Sequence, residues 1–245
     1  MLFDKEIHKN IKVIALDLDG TLTQHKQPLE DTNKKALELL AKKYKLIMVG
    51  AGQVMRIWNQ LGRMKIDIIG NYGLQYGEYD ESIGNMKIIR NLTFDCDRES
   101  IEKKVTAFRE KHGFTEYRGD NVEFHPSGCV TIPLLGTKAL IEDKIAFDPT
   151  REKRRKIYAE VKELFSDYTV FIGGSSSFDM TPGIFDKYHA LDTYCLEKGF
   201  SHENIVFIGD DYELGGNDES VYLSDIPFIK IDDYKTFPSV CAPLI

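Results

Sequence analysis

Residues Val13 to Thr23 read V-I-A-L-D-L-D-G-T-L-T. An apolar run breaks off into two carboxylates, a glycine and a threonine. Such a run fits a strand buried on both faces, and the carboxylates then emerge where the strand ends. Side chains two apart in extended backbone point the same way, so Asp17 and Asp19 can address one small ligand. Open α/β sheets place their sites at this C-terminal edge. Two carboxylates so close repel each other unless a proton or cation intervenes, so the motif asks for a metal.

Working outward, strand and helix signals alternate. A strand at residues 12–17 is followed by Pro28 at a helix start, with helical spacing of apolar residues from Leu29 to Tyr44. Lys45–Val49 reads as a second strand, residues 54–61 as a helix and residues 67–69 as a third strand. This rhythm predicts a doubly wound parallel sheet. From about Tyr79 the pattern changes to shorter strands and longer amphipathic helices, with a strand at residues 86–90 and helices at 98–112 and 149–165. The basic run Arg151 to Lys156 (R-E-K-R-R-K) reads as the solvated face of the second helix. After Pro182-Gly183 the earlier rhythm returns, with a helix at 187–198 and strands at 205–208 and 227–231. The expected architecture is an α/β chain. Its discontinuous doubly wound, Rossmann-like core spans residues 1–79 and 183–245, with an α+β cap inserted at 80–182.

A second acidic segment, Gly209-Asp210-Asp211, follows the apolar run Ile205-Val206-Phe207-Ile208, and Gly215-Gly216-Asn217-Asp218 comes shortly after. A parallel sheet delivers these carboxylates to the same edge as Asp17 and Asp19. Oxygen-only ligands, with no His or Cys pattern beside them, favour Mg²⁺ over zinc. In this setting Asp17 is placed to attack phosphorus and Asp19 to transfer the proton. The backbone N–H groups of Gly20 and Thr21, with Lys187 as the cation, are expected to hold the phosphoryl oxygens.

Bulk properties narrow the function classes. The 245 residues carry a net charge of -7 with acidic and basic residues interspersed, which argues against a nucleic-acid groove. No apolar run reaches membrane-spanning length and no signal peptide is evident, so no membrane partner and a cytoplasmic location are expected. The four scattered cysteines form no C-x-x-C pair and read as free thiols.

The segments D-L-D-G-T-L-T (Asp17 lies at its head), Lys187 and G-D-D-Y-E-L-G-G-N-D (Gly209 to Asp218) resemble the haloacid-dehalogenase-like (HAD) superfamily of aspartyl phosphotransferases. The cap insertion resembles its type IIB branch. R-G-x-x-V-E-F at Arg118 to Phe124, I-G-G-S-S-S-F-D at Ile172 to Asp179 and F-D-K at Phe185 to Lys187 are most similar to eukaryotic-type phosphomannomutases. The resemblance implies Asp17 as nucleophile, Asp19 as acid/base and Lys187 as phosphoryl-binding cation. It also implies Mg²⁺ held by Asp17, the Asp19 carbonyl and Asp210, with Asp218 nearby. Ser177 and Asp179 match contacts to sugar hydroxyls, Arg118 matches a phosphate-binding cap arginine, and a homodimer through the cap is suggested.

The departures from that pattern shape the functional expectation. Where the second core strand ends the family has Ser or Thr, and this chain has Gly52, whose N–H, or the Gln53 amide, is the expected substitute. A hydrogen bond to a charged group is worth about 1.5–3 kcal/mol, so its loss slows transfer by roughly tenfold to a hundredfold. Lys26, Pro126 and Thr137 fall where the mutases carry further arginines, and lysine cannot fork onto phosphate. Weak retention of a bisphosphate favours water as the acceptor. The expectation is therefore a Mg²⁺-dependent phosphatase that hydrolyses small phosphorylated metabolites, with hexose phosphates as the expected substrates, through an aspartyl-phosphate intermediate. The alternative is a phosphomannomutase interconverting hexose 6- and 1-phosphates, and a sugar-phosphate-binding protein with vestigial catalysis ranks third.

Overall fold

Strand β1 (Val13–Leu16) is fully buried, and its side chains divide between two cores by simple alternation. Ile14 and Leu16 join one core with residues of α1 (Asp31–Leu40), α2 (Val54–Gln60) and α8 (Phe237–Cys241). Val13 and Ala15 join the other with Ala190, Leu191 and Tyr194 of α6 (Lys187–Lys198). A strand covered by helices on both faces has no polar position to spare until it ends, which is why the motif reads as unbroken apolar residues followed by Asp17. The structure, a computed structural model, describes residues 10–245.

With β2 (Lys45–Val49), β3 (Asp67–Gly70), β4 (Gln75–Asp80), β5 (Asn85–Asn91), β10 (Ile205–Gly209) and β11 (Phe228–Lys230), β1 forms a seven-stranded sheet in the order β11-β10-β1-β2-β3-β4-β5. The five strands from β11 to β3 pair in parallel, and β4 and β5 add an antiparallel hairpin at one edge. The register sets Leu16 beside Ile208 on one side and beside Met48 on the other.

The remaining elements form a second unit with its own core. Strands β6 (Glu123–Phe124), β7 (Val130–Pro133), β8 (Tyr168–Phe171) and β9 (Ser177–Pro182) make an antiparallel sheet in the order β6-β7-β9-β8. Ile101, Val105 and Phe108 of α3 (Arg98–His112) and Tyr158 and Val161 of α5 (Glu152–Leu164) pack with Val130, Ile132, Phe178 and Met180 of that sheet. A short helix, α4 (Ile141–Phe147), buries none of its residues. This is an α/β core with an inserted α+β cap.

Three details differ from expectation. The first unit extends through Asn91 and resumes at Asp186, leaving Leu92–Phe185 and Leu214–Asn217 in the second, so the boundary at 79/80 falls inside the first unit. The strand around Met86 belongs to the large sheet because β5 pairs along the whole of β4, whose polar sequence Q-Y-G-E-Y-D gave little strand signal. Helix α1 begins at Asp31 because Glu30 is still extended.

The basic run on α5 differs from expectation as well. Arg154 is only 1% exposed. Its Nε donates to Asp148 Oδ2 at 2.9 Å, and its Nη1 donates to the carbonyls of Gly173, Gly174 and Ser177 at 2.7, 3.1 and 3.0 Å. One arginine thus satisfies a buried carboxylate and anchors the loop that leads into β9.

Candidate active site

Because β1 and β10 run in parallel and in register, the first residues past them are neighbours. The Asp17 N–H donates to the Ile208 carbonyl at 3.0 Å, extending the pairing one residue beyond the apolar strand. The chain then turns sharply through Gly20 at φ 101°. A side chain there would meet the Asp210 carboxylate, since an added Cβ would lie 2.6 Å from its Cγ. Glycine therefore serves both the left-handed backbone and the close approach. The turn closes with the Gly20 N–H donating to the Thr23 carbonyl at 2.8 Å. Thr21, fully buried, donates its hydroxyl to Asp210 Oδ1 at 2.8 Å.

Lys187 is the first residue of α6, whose start is capped by the Asp186 carboxylate accepting from the His189 N–H at 2.7 Å. Its ammonium donates to Asp17 Oδ1 and to Asp218 Oδ1, both at 2.6 Å. Lys187 and Asp218 are 0% exposed. The other oxygen of Asp218 accepts from the Asp211 N–H at 3.0 Å, and the Asp218 N–H donates to the Asp211 carbonyl at 2.9 Å. These bonds tie the segment after β10 back onto the site.

Asp17, Asp210 and Asp218 each offer a carboxylate oxygen within 4.8 Å of the others. Burial, chiefly, raises the Asp17 pKa well above the usual carboxylate range, with Asp218 and Asp210 adding to the rise and Lys187 opposing it. Burial and the Asp218 charge push Asp210 up to about 6. For Lys187 burial alone would lower the pKa, but Asp17 and Asp218 outweigh it and raise it, so the ammonium stays charged. One lysine facing three carboxylates leaves an excess of negative charge on oxygen donors, which suits a hard divalent cation.

Asp19 has different surroundings. Its Oδ1 accepts from the Lys26 N–H at 2.7 Å and from the Gln60 side-chain amide at 2.8 Å, and its Oδ2 lies 3.5 Å from an Arg56 nitrogen. Burial would raise its pKa, but Gln60, the Lys26 N–H, His25 and Arg56 together hold it below the usual value. Asp17 and Asp19, two residues apart, are thus driven in opposite directions. Gln60 and Arg56 were not singled out from the sequence. The available signal was their spacing from Gly52, at i+4 and i+8 along α2.

The Ser177 hydroxyl donates to the Gly173 carbonyl at 3.0 Å, in the loop anchored by Arg154. Asp179 Oδ1 accepts from the Thr131 hydroxyl at 2.9 Å, and that hydroxyl lies 3.1 Å from His125 Nε2. Arg118 is largely exposed, with Asp143 at 3.9 Å. Ser177 and Asp179 are therefore near neighbours on β9, whereas Arg118 stands on a separate loop.

A family model described as "Eukaryotic phosphomannomutase" matches residues 33–229, which include Lys187, Asp210 and Asp218 as well as the cap. The chain belongs to the eukaryotic phosphomannomutase family. It is 30% identical over 225 residues to a phosphomannomutase of Arabidopsis thaliana, covering 86% of this chain and 87% of that one. With the Saccharomyces cerevisiae phosphomannomutase it shares 26% identity over 226 residues, covering 87% and 85%. Among solved structures, a haloacid dehalogenase-like hydrolase from B. subtilis aligns with a TM-score of 0.64 at 16% identity, covering 94% of this chain and 92% of that one. An N-terminally truncated Plasmodium falciparum IMP-nucleotidase aligns at 0.69 with 13% identity, covering 98% and 71%. These structural likenesses concern the fold.

Membership of the phosphomannomutase family overturns the expectation of a general hexose phosphatase. That expectation rested on Lys26, Pro126 and Thr137 standing where the mutases carry arginines, together with Gly52 standing where they carry Ser or Thr. In the structure the Arg56 guanidinium lies over Gly52, in the volume a side chain there would need.

Proposed function

We propose that this enzyme is a phosphomannomutase, moving a phosphoryl group between the 6- and 1-positions of a hexose through an aspartyl phosphate on Asp17. The family match, spanning core and cap sequence alike, carries the reading. The chemistry follows from the side chains around it.

Asp17 attacks phosphorus of a hexose bisphosphate, and the bond from phosphorus to the sugar oxygen breaks as the new acyl phosphate bond forms. The departing sugar oxygen takes a proton from the Asp19 carboxyl group. In the second half-reaction a sugar hydroxyl returns its proton to the Asp19 carboxylate while its oxygen attacks phosphorus, and Asp17 is freed. The low pKa of Asp19 suits the base role, in which it must start ionised. Lys187 holds one Asp17 oxygen in place and offsets charge that builds up beside it.

The donor set fits Mg²⁺: Asp17, Asp210 and Asp218 would hold it through carboxylate oxygens, with the Asp19 carbonyl as the further ligand the family resemblance implies, and the excess buried negative charge calls for a cation. When bound, the ion supplies charge stabilisation for the transferring phosphoryl group. By their match to the family pattern, Arg118, Ser177 and Asp179 are the proposed contacts to a sugar phosphate, and the proposed substrate is a small phosphorylated sugar.

The deciding experiment supplies mannose 1-phosphate, a catalytic amount of hexose 1,6-bisphosphate and Mg²⁺, and follows ³¹P resonances. The expected result is conversion to the 6-phosphate, abolished by Asp17→Asn. Accumulation of inorganic phosphate with no 6-phosphate would overturn the proposal.

A further inference from the structure

Gly52 and Arg56 are one helical turn apart. Gln53 caps α2 in extended geometry, which makes Arg56 the third helical residue. Helical side chains lean toward the N-terminus of their helix, and Arg56 therefore runs back over Gly52. A Cβ built on Gly52 would lie 2.5 Å from Arg56 Cζ, so the guanidinium fills the volume that any residue-52 side chain would need.

The placement is held from several sides. Arg56 Nη1 donates to Gln60 Oε1 at 2.8 Å, and Nη2 lies 3.5 Å from Asp19 Oδ2. Gln60 in turn donates to Asp19 Oδ1 at 2.8 Å and to the Thr23 hydroxyl at 3.0 Å. The loop beneath is pinned as well: the Asn71 N–H donates to the Gly52 carbonyl at 2.8 Å and the Gly50 N–H to the Ile69 carbonyl at 2.9 Å. The Arg56 side chain is nevertheless 41% exposed, so part of the fork faces outward and can meet an anion. The register of β2 with β1 puts this loop on the side of Asp17 opposite β10.

We propose that Arg56 takes over, from four residues further along the chain, the phosphoryl-binding part that a Ser or Thr at position 52 would play. Gly52 is what makes this substitution possible, because any larger residue would displace the guanidinium. A forked cation replaces a single neutral donor, with two N–H groups matched to two phosphoryl oxygens. The inference rests on the phosphotransfer reading above and names a further residue of that same site.

The test uses Arg56→Ala, Arg56→Lys, Gly52→Ser and the Gly52→Ser/Arg56→Ala double variant of the full chain. Binding of inorganic phosphate in the presence of Mg²⁺ is measured by calorimetry, and kcat and KM are measured in the mutase assay. Arg56→Ala should weaken phosphate binding and lower kcat/KM by roughly tenfold to a hundredfold, the worth of a hydrogen bond to a charged group. Adding Gly52→Ser to Arg56→Ala should recover a large part of that loss, since the serine hydroxyl then has room. Arg56→Lys should fall between wild type and Arg56→Ala. A merely structural arginine would lower the melting temperature and leave phosphate affinity of the folded protein unchanged, and that result would overturn the inference. So would a double variant no better than Arg56→Ala. Wild-type protein that binds phosphate through Arg56 but shows no interconversion would refute the mutase reading while leaving this inference standing.

Discussion

Lys187 is fully buried between Asp17 and Asp218, and its ammonium is the cation that both carboxylates share. In Lys187→Met both carboxylates lose that partner while remaining out of water. Breaking a buried ion pair from one side costs about 3–5 kcal/mol. Urea unfolding should show a loss of this size together with loss of turnover, and wild-type stability would contradict the shared-ammonium geometry. The two aspartates of the motif separate by role. Asp17→Asn removes the proposed nucleophile and should leave no measurable activity. Asp19→Asn removes the proposed proton-transfer group, and such groups are worth about 10²–10⁴ in rate. Steady-state kinetics reads both, and near-normal turnover of Asp19→Asn would sink the acid/base assignment.

At the scale of elements, His202 joins the middle of α6 to the approach to β11. Its ring nitrogens lie 2.8 Å from Asp225 and 3.1 Å from Asp192. Burial alone would lower its pKa from 6.5, but the two carboxylates outweigh that and raise it. A folded value above the unfolded one means stabilisation that is complete below about pH 6.5 and lost as pH rises through the raised value. Thermal unfolding of wild type and His202→Asn should therefore differ most below about pH 6.5 and converge as pH rises through the raised value. A gap that stayed constant or widened with pH would show that the ring is not the titrating link. Arg154 is the comparable tie in the second unit, where one side chain bonds Asp148 and three carbonyls of the segment from Gly173 to Ser177. Its charge looked like surface in the sequence because a basic run carries no mark of which member turns inward.

At the scale of the whole molecule, the first unit is stitched together by contacts between distant parts of the chain, and Mg²⁺ should add to that stitching. A ligand that binds only the folded state stabilises it by about 2.7 kcal/mol at a concentration 100 times its Kd. Mg²⁺ should thus raise the melting temperature, a chelator should reverse the rise, and Asp210→Asn should blunt it. No response to Mg²⁺ in wild type would remove the metal from the site. Much of the fold was legible in advance. Apolar strands buried on both faces and ended by Asp17 or by Gly209-Asp210 leave a run-and-break pattern that local sequence records directly. β5 was legible as a strand but not as part of the large sheet, because pairing with β4 is a long-range choice that its own side chains do not encode.

What the sequence determined by itself was the kind of groups available and the ends of the strands they follow: two acidic turns, a lysine at a helix start, a glycine where a hydroxyl was expected. Only the tertiary structure decided which of them meet. Lys187 and Asp17 are 170 residues apart yet share a hydrogen bond. Arg56, four residues from Gly52, covers it because a helix begins between them and directs the side chain backward. Residue types follow from local sequence, whereas distances between charges arise only once the sheet register and helix starts have been set by packing.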